Sequence, residues 1–397
     1  MPNFLERLTQ RPALVRAGLA FLAKRGPVHT FMGTCVVLGY DQVRQVLGGT
    51  DEFHLADAMR RRIASGDFLL NSEPPGRYDT DKAQLCHAVY ANQRLLAQVT
   101  RHSGTYAAAL LGAQAKPCTY DAVGGLLEAV AADVVWKYFL GMRIPASPPP
   151  EFSAYSSTLA ELIVTSNPDC SALRKRARQA AAAIHQLIDQ RLTDLANGAP
   201  PGDDVVSAMA GCRLSPAVIR RNVAGLVATG IATIVRAGGQ ALNELLLRPS
   251  VLVMARDAAC RGDRELVLQY VMEALRFNPM FHFIPRTCVR DTALHVADAP
   301  PVEIKAGQQL FVGLLAAMFD GAGFPEPEHF RTDRPLASYL HFGAGIHRCF
   351  GGPLAQVILR EIFTALLQHA IARDHRAEGG GYPVYRWPAL THLWITL

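Results

Sequence analysis
The chain has no CxxC pair, and its eight cysteines (Cys35, Cys86, Cys118, Cys170, Cys212, Cys260, Cys288 and Cys349) lie scattered along 397 residues. Such spacing suits neither a zinc site nor a secreted disulfide framework. Most of them read as small buried hydrophobes. A continuous apolar run of membrane-spanning length is also missing, which argues against a membrane anchor. The residues before Pro12 mix polar and apolar types and lack the basic, apolar and small-residue order of a signal peptide. A soluble cytoplasmic protein is the expectation. Charge is sparse, at 19% of residues, with a formal net charge of +6. Lys and Arg are spread out except at Arg60-Arg61-Arg62 and Arg174-Lys175-Arg176-Arg178. No aromatics interleave with them, so nucleic acid is not an expected partner and the two runs read as solvated helix faces. The modest basic excess would steer an acidic protein partner. There is no internal repeat and no low-complexity tail.

What is present is apolar residues, 50% of the chain, enough for a large packed core. Their periodicity is mostly helical. Helices are expected over residues 12–24, 81–98, 121–139, 151–164, 171–195, 265–277 and 353–372, with a short one over 41–47 capped by Asp41. Ser215 and Pro216 open the longest helix, to about Leu247, since serine caps and proline fits the first turn. Its middle, residues 225–237, is nearly all apolar and reads as buried all round. A β-hairpin is expected over residues 28–38 around Met32-Gly33-Thr34. Short strands fall within 281–302, and 307–319 is mixed. Glu73-Pro74-Pro75-Gly76 and residues 321–339 read as loops. One large, mainly α domain over residues 1–397 follows, with a small β portion over roughly residues 25–75 and 279–310.

Cys349 sits apart from the other cysteines. Residues 341–351 read HFGAGIHRCFG, with glycines at 343, 345 and 351, and an apolar helix follows. Glycines allow positive φ and let backbone approach a flat ligand. A cysteine just ahead of a helix N-terminus has its thiolate favoured by the free N–H groups and the dipole. Such a thiolate suits ferric iron as an axial ligand.

This segment resembles the haem-binding signature of the cytochrome P450 family, Phe-Gly-x-Gly-x-His-x-Cys-x-Gly. All six fixed positions are present: Phe342, Gly343, Gly345, His347, Cys349 and Gly351. The resemblance implies the single-domain P450 fold, haem b (iron protoporphyrin IX) and Cys349 as the iron ligand, with His347 reaching a nearby anion. Glu273-Ala274-Leu275-Arg276 resembles the family's Glu-x-x-Arg; a spacing of three puts both side chains on one helix face. The family adds a third partner from a downstream meander, and His329 stands at the expected place, with Arg334 close by; a surface histidine is the alternative. In similar enzymes the strand after this helix lines the substrate pocket and its arginine binds a haem propionate. Arg286 fits that role, because a guanidinium fork matches a carboxylate. Phe281, Phe283 and Ile284 would touch substrate or pack in the core. A second propionate partner is expected near Pro74-Pro75, where Arg77 replaces the histidine of many relatives. The later arginine is absent or replaced by Lys82.

The longest helix resembles the family's oxygen-activation helix, Ala/Gly-Gly-x-Asp/Glu-Thr. Gly230 and Thr233 are present, but Ala232 stands in place of the acid. Oxygen activation needs protons. A hydroxyl such as Thr233 can hold a water, whereas alanine relays nothing. Arg236, one turn on, would bind a substrate carboxylate or pair with a distant acid.

Three functions stay open. The first is a monooxygenase using O2 and electrons from a separate ferredoxin or flavodoxin-type donor. The second is a peroxide-driven peroxygenase or hydroperoxide isomerase, favoured by Ala232. The third is a non-catalytic haem-binding sensor or helper. The segments expected at the substrate are mostly apolar, so a largely apolar small organic molecule fits.

Overall fold
The computed structural model describes residues 12–31, 33–56, 73, 76–142, 147–164, 171–377, 383–386 and 389–397. The readings placed on Met32, Arg60-Arg61-Arg62, Pro74, Pro75 and Cys170 lie outside the described residues. The architecture is mainly α with a small β portion. Internal packing divides the chain into two compact units. One comprises Met1–Met59, Gln240–Leu247 and Gln269–Gly352; the other comprises Arg60–Gly239, Arg248–Leu268 and Pro353–Leu397.

The first unit is built on a five-stranded sheet. The expected hairpin forms from Val28–Phe31 and Thr34–Val37, antiparallel, with Gly33 at φ 76° in the turn. Thr34–Val37 then pairs in parallel with Gln309–Val312. Ile284–Cys288 runs antiparallel to Gln309–Val312 and to Phe53–Leu55. One row across this sheet carries Cys35, Leu310, Arg286 and Leu55, all buried. The row explains how an arginine comes to lie inside. Strand alternation and register send its side chain to the buried face, and a one-residue slip would turn it out.

The short helix Tyr40–Gly48 is capped at Gly39, not by Asp41, which lies in its first turn. The capping oxygen comes from far along the chain: Asp320 Oδ2 accepts from the Tyr40 N–H at 2.8 Å. A carboxylate there favours the helix dipole as well as the orphan N–H.

The second unit is mostly helical. The single helix expected over residues 81–98 is in fact two, Arg77–Tyr90 and Gln93–Gly112. The chain breaks at Ala91, and Asn92 restarts it by accepting from the Leu95 N–H at 3.0 Å. Residues 123–139 are helical as expected, wound wider over Val123–Glu128 and Val135–Phe139. Pro150–Val164 and Ser171–Ala196 follow their expected bounds closely. Asp204 caps the short Val205–Gly211 helix through the Ser207 N–H. A helix at Pro249–Cys260, with proline in its first turn, was not expected. The helix Gly352–Leu367 ends earlier than residue 372, because Ala372–Arg373 pairs as a strand with Trp394–Thr396.

The longest helix runs Pro216–Leu246, and Ser215 Oγ accepts from the Val218 N–H at 3.4 Å. Its length and composition alone would allow it to cross a membrane, yet 56% of its most apolar window is buried within the protein. Arg221 grips Asp81 with two bonds of 2.6 and 2.7 Å, tying the long helix to Arg77–Tyr90. Gly238 and Gly239 let neighbours come close. A Cβ on Gly238 would collide with Leu127, and one on Gly239 with Leu390. Both glycines weaken the helix by about 1 kcal/mol each against alanine, and tight packing is what they return.

Candidate active site
The Cys349 loop is fixed by its own backbone. The Cys349 N–H donates to the Phe342 carbonyl at 2.8 Å, Gly343 N–H to Leu340 at 3.0 Å, and Arg348 N–H to Gly345 at 3.1 Å. Gly343 and Gly345 hold φ of 68° and 70°. At Gly345 the requirement is doubled, since a Cβ would also run into the Leu47 carbonyl. The loop is thereby seated on the end of the Tyr40–Gly48 helix. The Cys349 side chain is exposed, three residues ahead of the Gly352–Leu367 helix. Beside the sulfur, a Cβ on Gly351 would lie 4.0 Å from Sγ, while one on Gly343 would meet nothing within 4 Å. An exposed sulfur on a glycine loop leaves room for a flat iron macrocycle.

Behind this loop in sequence, the Glu273–Arg276 pair is fully buried, both side chains 0% exposed. Arg276 donates from Nη2 to Glu273 Oε1 at 2.7 Å and from Nε to Oε2 at 3.0 Å. Its Nη1 reaches the Met318 carbonyl at 3.0 Å. The guanidinium also lies over Phe277, Phe319 and Phe324. The third partner is Arg334 and not His329. Arg334 Nε donates to Glu273 Oε1 at 3.4 Å and its Nη1 to the Pro325 carbonyl at 2.9 Å. The His329 side chain is 72% exposed beside Glu326; only its backbone carbonyl joins the cluster, accepting from Arg276 at 3.1 Å. A buried carboxylate facing one arginine gains from a second cation more than from a neutral imidazole. Tyr339 completes the cluster, its hydroxyl donating to Glu273 Oε2 at 2.8 Å. Burial, and then the Glu273 charge, push the Tyr339 pKa up, so it stays a donor.

His341 opens the cysteine loop and stacks on Tyr339 with centroids 5.2 Å apart. Its Nε2 donates to the Met272 carbonyl at 2.9 Å. Burial pulls its pKa down to about 4, so the ring is neutral.

Arg286 is 5% exposed and donates from Nη1 to the Pro285 carbonyl at 2.9 Å. His347 and Phe342 are half-buried. Phe281 and Ile284 are also half-buried, whereas Phe283 packs against the core cluster of Leu19, Leu38, Leu315 and Ala316. That core contact accounts for the burial of Phe283 without a substrate. Arg77 heads its helix with 46% of its side chain exposed, 3.8 Å from Asp81. Lys82 lies over the Tyr78 ring.

On the long helix, burial is not complete all round. Gly225, Thr229, Gly230, Ala232, Thr233 and Ala237 are half-buried, and at about 100° per residue they share one face. Two hydroxyls on this face bond back into the helix. Thr229 donates to the Gly225 carbonyl at 2.9 Å and Thr233 to the Thr229 carbonyl at 2.7 Å. Each keeps lone pairs for a further donor. Arg236 is buried. Ser156, which the sequence did not single out, donates to the Ala228 carbonyl at 3.2 Å and accepts from the Ala232 N–H at 3.4 Å.

The residues present fit a haem: Cys349 is presented on a glycine loop fixed by its own backbone, and Arg286 is buried by strand register. The sequence pattern of the cytochrome P450 family matches residues 169–370, about half of the chain. The chain belongs to the cytochrome P450 family, and haem b is its cofactor. Its fold is similar to that of the cytochrome P450 CYP109B1 from Bacillus subtilis, with TM-score 0.77 and 21% identity, over 96% of this chain and 99% of that one. In sequence it is 28% identical to the mycinamicin IV hydroxylase/epoxidase of Micromonospora griseorubida, over 57% of this chain and 54% of the relative. It is 41% identical to the linoleate diol synthase of Gaeumannomyces graminis, over 23% of this chain and 8% of the relative. The matched stretches thus span from under a tenth to about half of those relatives.

Proposed function
We propose that this chain is a monooxygenase. It places one atom of O2 in a largely apolar small organic molecule and releases the other as water, consuming two electrons and two protons. The observation that carries this reading is the Cys349 loop, rigid and glycine-flanked. When bound, the haem supplies the one-electron and oxygen chemistry. The protein supplies the rest. Cys349 would hold the iron through its thiolate, and Arg286, His347 and Arg77 would face the propionates. Phe281 and Ile284 offer apolar contact to substrate. Thr233 holds a water through the lone pairs its back-bond leaves open. In this reading residues 1–397 are one cytochrome P450 domain. Electrons come from a separate ferredoxin or flavodoxin-type donor, and the exposed Arg348 beside Cys349 suits an acidic one.

A second reading is favoured by Ala232, which supplies no proton. In that reading a peroxide brings both oxygen and electrons, as in a peroxygenase or hydroperoxide isomerase.

The experiment reduces the purified protein under carbon monoxide and looks for the red-shifted band of thiolate-ligated haem. Cys349→Ala is expected to abolish the band; its persistence would remove Cys349 as ligand. Linoleic acid and mycinamicin IV, taken from the relatives' names, then serve as probes in two assays. Turnover with a reduced ferredoxin and O2 supports the first reading, and turnover with hydrogen peroxide alone supports the second.

A further inference from the structure
Ser156 behaves unlike four other helical hydroxyls, those of Thr100, Ser103, Thr193 and Thr364. Each of these donates to the carbonyl four residues earlier in its own helix, at 2.7–2.8 Å. That is the ordinary resting place of a helical Ser or Thr. Ser156, on Pro150–Val164, instead reaches across to the long helix. There it bridges the Ala228 carbonyl and the Ala232 N–H. These two groups are the i,i+4 pair that a helix joins to itself. The hydroxyl therefore straddles one turn of the long helix, the turn ending just before Thr233.

The surroundings make this contact specific. Ser156 is 0% exposed, so no bulk water competes for it. Its two bonds are long, at 3.2 and 3.4 Å, so the contact is adjustable. Thr229 and Thr233 load the neighbouring carbonyls of Gly225 and Thr229. Three carbonyls that the helix would use itself, those of Gly225, Ala228 and Thr229, are thus shared with hydroxyls. The back-bonds of Thr229 and Thr233 loosen their own helix, whereas Ser156 bridges the turn from a second helix and holds it. The sharing is concentrated where Ala232 replaces the family's acid.

We propose that Ser156 is a positioning residue for the Thr233 hydroxyl, transmitting the placement of the Pro150–Val164 helix to the turn Ala228–Ala232. This rests on the monooxygenase reading for what Thr233 does. Without an acid at position 232, the angle of the Thr233 hydroxyl decides whether reduced oxygen receives its protons in time to be split. A slack turn lets O2 leave as hydrogen peroxide after two electrons and two protons. With no substrate to oxidise, a held turn carries it on to two waters after four of each.

The test uses two near-isosteric variants, Ser156→Thr and Ser156→Val, which differ by the hydroxyl. The first readout is amide exchange at Ala232, measured with or without haem. Exchange is expected to quicken about fivefold in the Val variant and to stay near the original rate in the Thr variant. The second readout is the share of NADPH electrons ending in hydrogen peroxide, with a surrogate reductase and ferredoxin and no substrate. That share is expected at least to double in the Val variant and to hold in the Thr variant. A packing role would move both variants alike, and equal behaviour in the exchange readout overturns the proposal. If the added methyl group prevents folding, Ser156→Ala against the unaltered protein reads the same two quantities. An absent carbon-monoxide band would overturn the proposed function instead, and leaves the exchange result standing.

Discussion
Two polar regions of this protein are built in opposite ways. Around Glu273 the two carboxylate oxygens receive five hydrogen bonds, from Arg276, Arg331, Arg334 and Tyr339. All but one are 2.7–3.0 Å long, and the ion pair is sealed from solvent. Around Ala232 the groups are neutral hydroxyls, their helix face is half-buried, and the bonds from Ser156 stretch to 3.4 Å. The first region is costly to disturb, because stripping one partner strands a buried charge. The second is held by neutral bonds, the longest of them from Ser156, and these cost less to break than the bonds of a buried ion pair.

The comparison can be broken most severely at Glu273. Glu273→Ala leaves Arg276 and Arg334 facing each other without their carboxylate, and a loss of about 3–5 kcal/mol is expected. That is a large part of a domain's stability. Urea unfolding measures it, and an unchanged midpoint would mean that the cluster is not a scaffold. The next effect is pH-dependent. His341 is neutral in the fold, with its pKa lowered to about 4, and titrates near 6.5 when unfolded. Its unfolded form therefore takes up protons first. Stability is complete above about pH 6.5 and falls as pH drops toward 4, by on the order of 2 kcal/mol. Unfolding curves across that window should show the loss, and His341→Phe should flatten it. The smallest effect has the opposite sign. A Cβ on Gly230 would meet Val135 at 3.5 Å and Phe139 at 3.7 Å, which is ordinary contact. Gly230→Ala should therefore raise stability by about 0.5–1 kcal/mol. If the segment is kept loose for its chemistry, the same variant melts higher and turns over more slowly; faster turnover would contradict that.

Legibility in the sequence followed the range of the interaction. The cysteine loop and the Glu273–Arg276 pair are local patterns, a run of glycines and a spacing of three, and both could be read directly. The third partner could not. His329 and Arg334 lie five residues apart in an irregular stretch, where no period tells which side chain turns inward. The fold uses the backbone of one and the side chain of the other. The break between Tyr90 and Gln93 was hidden because Asn92 is compatible with a helix interior as well as with a cap. The Asp41 cap failed for a different reason, since the capping oxygen comes from Asp320. Ser156 carries no local signal at all. Its role depends on a crossing between two helices whose contacting residues are 72 positions apart. Gly238 and Gly239 were not read from the sequence either, since their role is set by the distant Leu127 and Leu390 that pack against them.

The seat of the cysteine loop has a consequence for how the chain reaches its native state. Gly345 lies against the Leu47 carbonyl, and the Tyr40 hydroxyl reaches the Ser338 carbonyl 298 positions away. During synthesis the Tyr40–Gly48 helix is therefore made 298 positions ahead of the segment it packs against. The loop that presents Cys349 can be locked onto that helix only after this long span has been made. Contacts of such high order form slowly, because a very long loop must close before they return any energy. Locking of the cysteine loop is thereby late relative to the local contacts within each segment.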